Sequence, residues 1–439
     1  MFCVWGNTYV FLNIDKSVIL KYNFSRFGGS MFCKENAPIV MYNNNFRECI
    51  LYISYPIYDY KDEFLKVLEN VICDKSIKYD TDKKKYLAII DNYLLSCNGR
   101  ISFLGDVPFL EFKVSFPSYN SLGVDIFKNN LLFIKELIYN ALSFKEDRVN
   151  DIKTIIKENI NKRFKDAFWY YDYMNDKLID EGNFLVSKVI LNPDLLDNVN
   201  SENLFDFYKK IISGSPFVFL IGDVANDSER IIKDVFLDGK IKNVSFEKRY
   251  SHFCKNINSE VDVFREKTCF KTSAIYYSYK VRDMESDRDR VLLLIIKMLI
   301  SSSDSDVLFD TLRSKNNLVY RCSCSYYRSF GSLVMKAFTD KENISLVQSL
   351  YNDIMIRISD INYINEKLPL FVKRNDMIRK IDKEKIWGLL VIEIDKFFEY
   401  DMDNVLDIMK TITPLEISNF IKDRLVLTNI YIGEGDNNE

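Results

Sequence analysis

Two segments about half a chain apart share one pattern, and this repeat constrains the fold more than any other feature. The first reads LFDFYKKII and then FVFLIGDV, whereas the second reads ISNFIKDRL and then NIYIGEG. Each is an amphipathic helix followed by an apolar strand that ends at Ile-Gly-acid. The matching glycines, Gly222 and Gly433, are 211 residues apart in a chain of 439. The repeat indicates a duplicated domain, so we predict two similar α+β lobes, each an antiparallel sheet packed with helices.

The interval between the repeated halves is polar and irregular. Asn, Asp, Lys and Ser cluster between Asp227 and Glu266, a composition typical of loops. We predict a first lobe over residues 1–226, a linker zone over 227–266 and a second lobe over 267–439.

Composition excludes several classes of partner. Sixty basic and 63 acidic residues are interspersed, so no stripe suited to nucleic acid or anionic lipid is present. The longest apolar run, residues 291–300, is too short to span a bilayer, and the N-terminus lacks a signal-peptide pattern. Nine scattered cysteines form no CxxC pair. We expect a cytoplasmic chain with no membrane span and with reduced thiols.

Periodicity and turn residues predict the elements. Ser286 with Asp289 is expected to form a capping box, and Thr413 is expected to cap a helix that begins at Pro414. The predicted strands are two within 8–27, then 49–56, 101–104, 108–116, 216–224, 273–281, 318–327 and the C-terminal VLTNIYIGEG. The predicted helices are 61–71, 82–95, 121–142, 147–164, 203–212, 286–300, several within 342–411 and the last one from Pro414.

Residues 303–339 carry the most specific local pattern. A short helix is expected to be capped by Ser305 and to end near Arg313. The two asparagines at 316–317 can then turn the chain, because asparagine tolerates positive φ. A strand over 318–327 and a returning strand complete a hairpin.

This stretch resembles a peptidase signature. The pattern L-F-x-x-L-R, a short loop and L-V-Y is similar to the second-lobe motif of the insulinase/pitrilysin-type peptidases, a family that includes both subunits of mitochondrial processing peptidase. In active members the arginine, and the tyrosine seven residues later, reach into a chamber beside a zinc bound elsewhere. Arg313 and Tyr320 match these positions with the spacing kept. The structural alternative is an arginine that favours a helix C-terminus and a tyrosine that packs in a strand.

The zinc motif that the resemblance implies is missing. Active members bind zinc through H-x-x-E-H in the first lobe and a glutamate from a later helix. This chain has one histidine, His252, and it falls in the predicted linker zone. Residues 31–45, where the resemblance suggests the motif, contain none. The later helix resembles residues 154–161 here, and either Glu158 or Asn159 holds the ligand position. We therefore expect no metal or other cofactor in this chain.

Other catalytic chemistries lack their motifs. The sequence has no GxSxG elbow, no GxGxxG and no P-loop. Cys322 and Cys324 share one face of a strand and could hold a soft metal, although two buried thiols are the more economical interpretation. Paired carboxylates such as Asp304 and Asp306 are explained as helix caps.

The resemblance offers a use for such a chain. In two-subunit relatives a degenerate chain pairs with a zinc-bearing chain that has the H-x-x-E-H motif. We expect this protein to be such a non-catalytic subunit of a peptide-processing heterodimer, with no activity alone. Arg313 and Tyr320 would serve the zinc site of the partner, and Arg321, Ser323 and Ser325 would bind extended peptide on the polar face of their strand. The alternative function is a peptide-binding scaffold with no catalytic contribution.

Two questions follow from this expectation. Similar bacterial pairs accompany either maturation of small modified peptides, including natural products, or modification of a translation elongation factor. Strict alternation also places Tyr320 on the apolar face with Cys322 and Cys324, whereas a chamber residue requires the polar face. A bulge within 316–320 would resolve the conflict.

Overall fold

The computed structural model describes residues 29–72, 76–104, 107–118, 126–142, 144–179, 192–224, 226–249, 261–282, 286–302, 306–327, 331–397 and 402–436. Up to the middle of the chain its elements are β1 Gly29–Glu35, β2 Ile39–Tyr42, β3 Glu48–Pro56, α1 Asp62–Leu68, α2 Asp82–Asp91, β4 Ser96–Leu104, β5 Val107–Pro117, α3 Phe127–Tyr139, α4 Glu146–Phe164, α5 Ala167–Ile179, a 3₁₀ turn Pro193–Asn198, α6 Ser201–Ile212, β6 Phe217–Gly222, α7 Ser228–Phe236 and β7 Asn243–Arg249. The remainder comprises β8 Asp262–Lys267, β9 Ser273–Val281, α8 Asp287–Ile300, α9 Val307–Phe309, a π-helical turn Asp310–Lys315, β10 Val319–Tyr327, β11 Ser332–Thr339, a 3₁₀ turn Lys341–Asn343, α10 Ile344–Ile358, α11 Ile361–Lys383, α12 Ile386–Phe397, α13 Met402–Thr411, α14 Pro414–Asp423 and β12 Leu425–Glu434.

Two five-stranded sheets repeat one strand order, which confirms the predicted two-lobe α+β fold. The first sheet runs β2-β6-β3-β5-β4, and the second runs β8-β12-β9-β11-β10. The sheets are mixed and not purely antiparallel, because an early edge strand of each lobe lies parallel to its last strand, β2 to β6 and β8 to β12. The repeated helix–strand pairs are α6–β6 and α14–β12. A separate two-stranded ribbon pairs β1 with β7.

The predicted linker zone contains ordered elements. α7 contributes Ile232, Val235 and Phe236 to the first-lobe core, and β7 and β8 both pair with other strands. The polar composition therefore reflects an amphipathic helix and edge strands. Residues 227–266 thus contain regular secondary structure and are not a linker throughout.

Most of the predicted elements are confirmed. Capping boxes begin α8 at Ser286 and α14 at Thr413, and β4 and β5 form the expected hairpin. The helix predicted over 82–95 ends at Asp91, and Tyr93 follows in the left-handed region with φ of 52°. The strands predicted within 8–27 lie outside the described residues. No helix in the described part of the chain is long and apolar enough to cross a membrane.

Each sheet is covered on one face by helices of its own lobe and on the other by a helix from the other lobe. In the first lobe, α1, α3, α4, α6 and α7 pack on one face. α12 then comes from the second lobe to pack on the other face, through Ile386, Leu390 and Ile394. Reciprocally, α5 leaves the first lobe and covers the second sheet, through Tyr171 and Ile179. The rings and aliphatic groups under α5 are Ala274, Tyr276, Val334, Phe338 and Tyr431. The exchange joins the two lobes into one packed unit.

Gly433 permits this exchange on β12. A Cβ at this position would lie 2.1 Å from Cε1 of Tyr171, which is far inside van der Waals contact. The Tyr171 side chain is buried, and its hydroxyl donates to the carbonyl oxygen of Thr272 at 2.8 Å. The ring cannot move without losing that bond. The glycine in the repeated Ile-Gly-acid pattern is therefore required by a close helix–strand approach.

We expect Gly433→Ala to lower the free energy of unfolding by about 1–3 kcal/mol, because overpacking displaces Tyr171 or β12. Urea unfolding followed by circular dichroism measures the change. Gly214→Ala is the control, since its Cβ would meet only the carbonyl oxygen of Ile211, at 3.2 Å. An equal loss in both variants would contradict the role assigned to the Tyr171 contact.

Candidate functional site

A short helical corner precedes the strand that carries Tyr320. Asp306 caps α9, since its Oδ1 accepts a hydrogen bond from the Phe309 amide at 2.9 Å. The predicted cap, Ser305, lies outside the described residues. The helix continues as the π-helical turn that contains Arg313, and Leu312 anchors this turn in the second-lobe core.

The asparagine corner forms as predicted. Asn317 adopts a φ of 49°, and its amide donates to the carbonyl of Arg313 at 2.9 Å. Asn316 Nδ2 donates to the carbonyl of Thr311 at 2.7 Å. These bonds satisfy carbonyls at the helix end and direct the chain into β10.

A bulge at the start of β10 turns Tyr320 outward. The pairing register with β11 shifts between Val319 and Arg321, so Tyr320 has no partner in the ladder. Val319 is 2% exposed and Tyr320 is 56% exposed. The alternation that placed Tyr320 on the apolar face is therefore wrong at this residue, although it holds for Cys324, which is buried in the core.

Arg313 lies beside the bulge and links the π-helical turn to the start of β10. The segment from Arg313 to Tyr320 is called the corner below. Its Nη1 donates to the Val319 carbonyl at 2.5 Å, one residue before Tyr320. Both side chains are exposed, Arg313 at the end of the π-helical turn and Tyr320 on the bulge. The structure thus brings the two residues to one solvent-facing corner, and their role there stays a prediction.

Asp340 is a member of this corner that the sequence reasoning missed. The Tyr320 hydroxyl donates to Asp340 Oδ1 at 2.5 Å, across the β10–β11 hairpin. This hydrogen bond raises the pKa of Tyr320, and the nearby charge of Glu342 adds to the rise, whereas Arg313 opposes it. The phenol therefore remains a protonated donor. Only the hairpin register places residue 340 beside residue 320, so no local pattern could have identified it.

The strand after the bulge forms an edge of the second sheet. Arg321 is exposed, whereas Ser323 and Ser325 are half-buried. On β11, Ser323 pairs with Lys336 and Ser325 pairs with Val334. Within the described residues no further strand pairs with the outer edge of β10.

The polar part of this sheet face is connected to α5. Lys336 Nζ donates to Asp172 Oδ1 at 2.5 Å, and the Tyr276 hydroxyl donates to the same atom at 2.8 Å. Tyr327 donates to Asp176 Oδ1 at 2.9 Å. Burial raises the pKa of Asp176 to about 7, and the bond from Tyr327 offsets part of that rise. A buried acid with this pKa lies between the lobes.

The residues proposed for a degenerate zinc site do not converge. Residues 31–45 contain strands β1 and β2, and on a strand residues i and i+4 lie about 13 Å apart, too far to bind one zinc as the two histidines of a helical motif do. On α4, Glu158 is exposed and makes an ion pair with Lys162 at 3.8 Å, and Asn159 is exposed too. No group of three His, Cys, Asp or Glu residues in the described part of the chain could hold a metal ion. His252 lies outside that part.

The two cysteines of β10 fit the structural interpretation. Cys324 is buried, and Cys322 packs against the same second-lobe core. Burial raises the pKa of both thiols to about 12, which disfavours the thiolate that a metal requires.

Comparison with known families identifies a match in the part of the chain that carries the corner. Residues 198–365 match the family model described as the peptidase M16 inactive domain, and this segment includes Arg313 and Tyr320. This part of the chain is similar to the M16 peptidases, the insulinase/pitrilysin group. The resemblance inferred from the Arg-Tyr pattern is therefore confirmed. No curated protein matches this sequence.

Solved structures share the fold of this chain. A conserved protein from Enterococcus faecalis V583 has a TM-score of 0.76 at 15% identity, over 93% of this chain and 99% of that one. The periplasmic protease PqqL from Escherichia coli has a TM-score of 0.67 at 10% identity, over 99% of this chain and 49% of that one. A peptidase M16 inactive domain from Pseudomonas fluorescens has a TM-score of 0.65 at 10% identity, over 93% and 98%. At these identities the likeness shows the fold.

We expect Asp176→Asn to make the protein more stable than the wild type at pH 8, with a smaller gain at pH 5. The carboxyl pKa is raised to about 7 in the folded state, so the folded state binds more protons than the unfolded state between about pH 4 and pH 7. The stabilising contribution of the Asp176 carboxyl is complete below its pKa in the unfolded state and is lost as the pH rises through its pKa in the folded state. Because the amide of asparagine stays neutral, the variant avoids this loss, and we expect its free energy of unfolding at pH 8 to exceed that of the wild type by about 1–3 kcal/mol.

Urea unfolding at the two pH values tests this expectation. The control is Asp206→Asn, because Asp206 is exposed and its ion pair with Lys209, at 3.2 Å, is on the surface. A gain for Asp176→Asn that is the same at both pH values would show that the carboxyl does not titrate as stated.

Proposed function

We propose that this chain is the non-catalytic subunit of a heterodimeric zinc peptidase that processes a peptide. The observation that carries the proposal is the exposed corner on which a bulge places Tyr320 beside Arg313. The match to an inactive M16 domain and the single histidine in the sequence support the assignment of zinc to a partner with the H-x-x-E-H motif.

The two side chains have distinct tasks in this proposal. Tyr320 donates a hydrogen bond to the oxyanion that forms when water attacks a peptide carbonyl at the zinc of the partner. Arg313 presents a fork of donors to a substrate carbonyl or carboxylate. Loss of one well-placed oxyanion donor costs about 10²–10³ in kcat. Such a factor is a sufficient reason to keep both residues in a chain without metal.

Extended peptide has a place to bind beside the corner. β10 is an edge strand in the described structure, and strand addition at such an edge uses main-chain hydrogen bonds. Arg321 is exposed next to the bulge, and Ser323 and Ser325 follow along the same strand face. We propose these three residues as substrate contacts.

The biological substrate is proposed only as a class. Similar zinc-bearing and zinc-less pairs in bacteria point to maturation of a small modified peptide, such as a natural product, or to modification of a translation elongation factor. The cytoplasmic location inferred from the sequence remains a prediction, and PqqL, one relative in fold, is a periplasmic protease.

A peptide-binding scaffold without catalytic contribution is the second candidate. It is favoured by the hydrogen bonds that already occupy the corner, from Tyr320 to Asp340 and from Arg313 to the Val319 carbonyl. The phenol has one proton to donate, so it must leave Asp340 before it serves an oxyanion. A scaffold would never require that exchange.

In the complex with a zinc-bearing partner from the same source, we expect Tyr320→Phe to lower kcat about 10²-fold or more and to leave assembly unchanged. Arg313→Ala is expected to lower kcat/KM by more than Tyr320→Phe does, because it removes both a substrate contact and the hydrogen bond that supports the bulge. Peptide cleavage by the purified complex measures both effects.

Matched controls separate catalysis from folding. Tyr86→Phe changes a tyrosine that is 63% exposed on α2, and Arg230→Ala removes an exposed arginine whose ion pair with Asp227 is on the surface. Both should retain wild-type turnover. Wild-type turnover in Tyr320→Phe and Arg313→Ala as well would favour the scaffold.

The metal is expected to reside in the partner. Elemental analysis of the purified chain should find zinc well below one equivalent, whereas the heterodimer should hold about one zinc in its H-x-x-E-H subunit. Chelation should abolish cleavage by the complex without unfolding this chain. Stoichiometric zinc in the isolated chain would contradict the assignment.

A further inference from the structure

Asp340 holds the Tyr320 phenol in a hydrogen bond that excludes the proposed chemistry. Its Oδ1 accepts from the Tyr320 hydroxyl at 2.5 Å, across the β10–β11 hairpin. A phenol has one proton, so it cannot donate to this carboxylate and to an oxyanion at the same time. A hydrogen bond to a charged acceptor is also stronger than one between neutral groups. The phenol is therefore withheld from any other acceptor while this contact lasts.

The residue before Asp340 fixes it opposite the bulge. Thr339 is fully buried, and its Oγ1 donates to the Leu318 carbonyl at 2.5 Å. Thr339 also pairs with Val319 in the β10–β11 ladder, whereas Tyr320 lies on the bulge outside that ladder. Because Thr339 holds the two strands together here, the side chain at position 340 can change while the hairpin stays in place.

The Asp340 carboxylate lies where a helix cap is expected. Asp340 directly precedes the 3₁₀ turn Lys341–Asn343, which continues into α10, and its φ of −80° and ψ of 153° are extended values typical of an N-cap. An N-cap aspartate usually accepts from an amide two or three residues later, as Asp360 does at the start of α11, from Asn362 at 2.7 Å. Asp340 makes no such side-chain hydrogen bond. Its contact with Tyr320 replaces the cap.

The equivalent hairpin of the first lobe is built without the bulge. The strand order places β4 and β5 in the first sheet where β10 and β11 lie in the second. A residue with positive φ precedes each edge strand, Tyr93 at 52° and Asn317 at 49°. The pairing of β4 with β5 continues without a shift, whereas that of β10 with β11 shifts at the bulge. The bulge that brings Tyr320 to Asp340 is therefore an addition to the duplicated fold and not a requirement of it.

We propose that Asp340 is a positioning residue that holds Tyr320 in an inactive position until substrate binds. When a peptide carbonyl is attacked at the zinc of the partner, the phenol turns to the developing oxyanion. The Asp340 carboxylate then turns to the amides of the 3₁₀ turn and caps it. The proton stays on the phenol throughout, so only the hydrogen-bond partners change. The inference rests on the proposed function, in which Tyr320 donates to the oxyanion, and it adds the regulation of that donor.

The contact itself is tested in the isolated chain. A fluorinated tyrosine placed at position 320 ionises near neutral pH, so its absorbance or its fluorine signal reports one phenol among the many tyrosines. The hydrogen bond to Asp340 is the main cause that raises the pKa of Tyr320, and the charge of Glu342 contributes less. Asp340→Ala should therefore lower this pKa, and Glu342→Gln, which keeps the acceptor, should lower it by a smaller amount. An unchanged pKa in Asp340→Ala would overturn the proposal.

Turnover by the complex with the zinc-bearing partner tests the regulation. Asp340→Ala should raise kcat/KM about three- to tenfold, because the phenol no longer has to leave a charged acceptor before it serves the oxyanion. Asp340→Ser should raise kcat/KM as well and should unfold at the same urea concentration as the wild type. Serine caps a helix as aspartate does, but its hydroxyl is one bond shorter than the carboxylate and carries no charge.

Two further variants show whether the effect passes through the phenol. In a Tyr320→Phe background, Asp340→Ala should leave kcat/KM unchanged, because the hydrogen bond that it removes is already absent. Asp206→Ala is the matched control, since Asp206 is exposed in the first lobe and its ion pair with Lys209 is on the surface. Its kcat/KM should equal that of the wild type. Circular dichroism establishes that every variant is folded.

Two kinetic results would overturn the proposal. One is a kcat/KM in Asp340→Ala that is equal to or below that of the wild type, and the other is a rise that persists in the Tyr320→Phe background. If either occurs while Tyr320→Phe alone still lowers kcat about 10²-fold, the half-site chemistry stands and the regulation by Asp340 does not. Full turnover in Tyr320→Phe alone would instead contradict the proposed function, and the regulation with it.

Discussion

Each sheet has two apolar faces, but the helices of its own lobe cover only one. The second face is closed by the exchange of α5 and α12, which bury Tyr171 and Leu390 against the sheet of the opposite lobe. Because burial of apolar surface is the main favourable term in folding, neither lobe is complete alone. The exchange also accounts for Gly433, whose missing side chain admits the Tyr171 ring. The second sheet, whose edge strand carries the candidate site, is thus covered by a contact between lobes.

The corner on the second sheet depends on two local departures from regular structure. A π-helical turn ends the short helix at Arg313, and a bulge removes Tyr320 from the strand ladder. Either feature disrupts regular hydrogen bonding, and such departures are frequent at functional sites. The Arg313 bond to the Val319 carbonyl joins the two. A fully regular strand would direct Tyr320 into the core, where it could serve no substrate.

The fold was largely predictable because it follows from local signals. The half-chain repeat predicted two lobes, and capping residues at Ser286 and Thr413 placed helices correctly. The helix exchange was not predictable, since α12 is apolar on most sides and its sequence does not say which sheet it covers. The Arg313–Tyr320 pair came from a resemblance, whereas Asp340 required the hairpin register.

A structure of the heterodimer bound to a phosphinate peptide, which mimics the tetrahedral intermediate, tests the central claim most directly. The account predicts that the Tyr320 hydroxyl has left Asp340 and lies about 2.7 Å from a phosphinate oxygen on the zinc of the partner. Arg313 should lie within hydrogen-bond distance of the same peptide. A phenol still bound to Asp340, with Arg313 and Tyr320 far from both peptide and zinc, would contradict it.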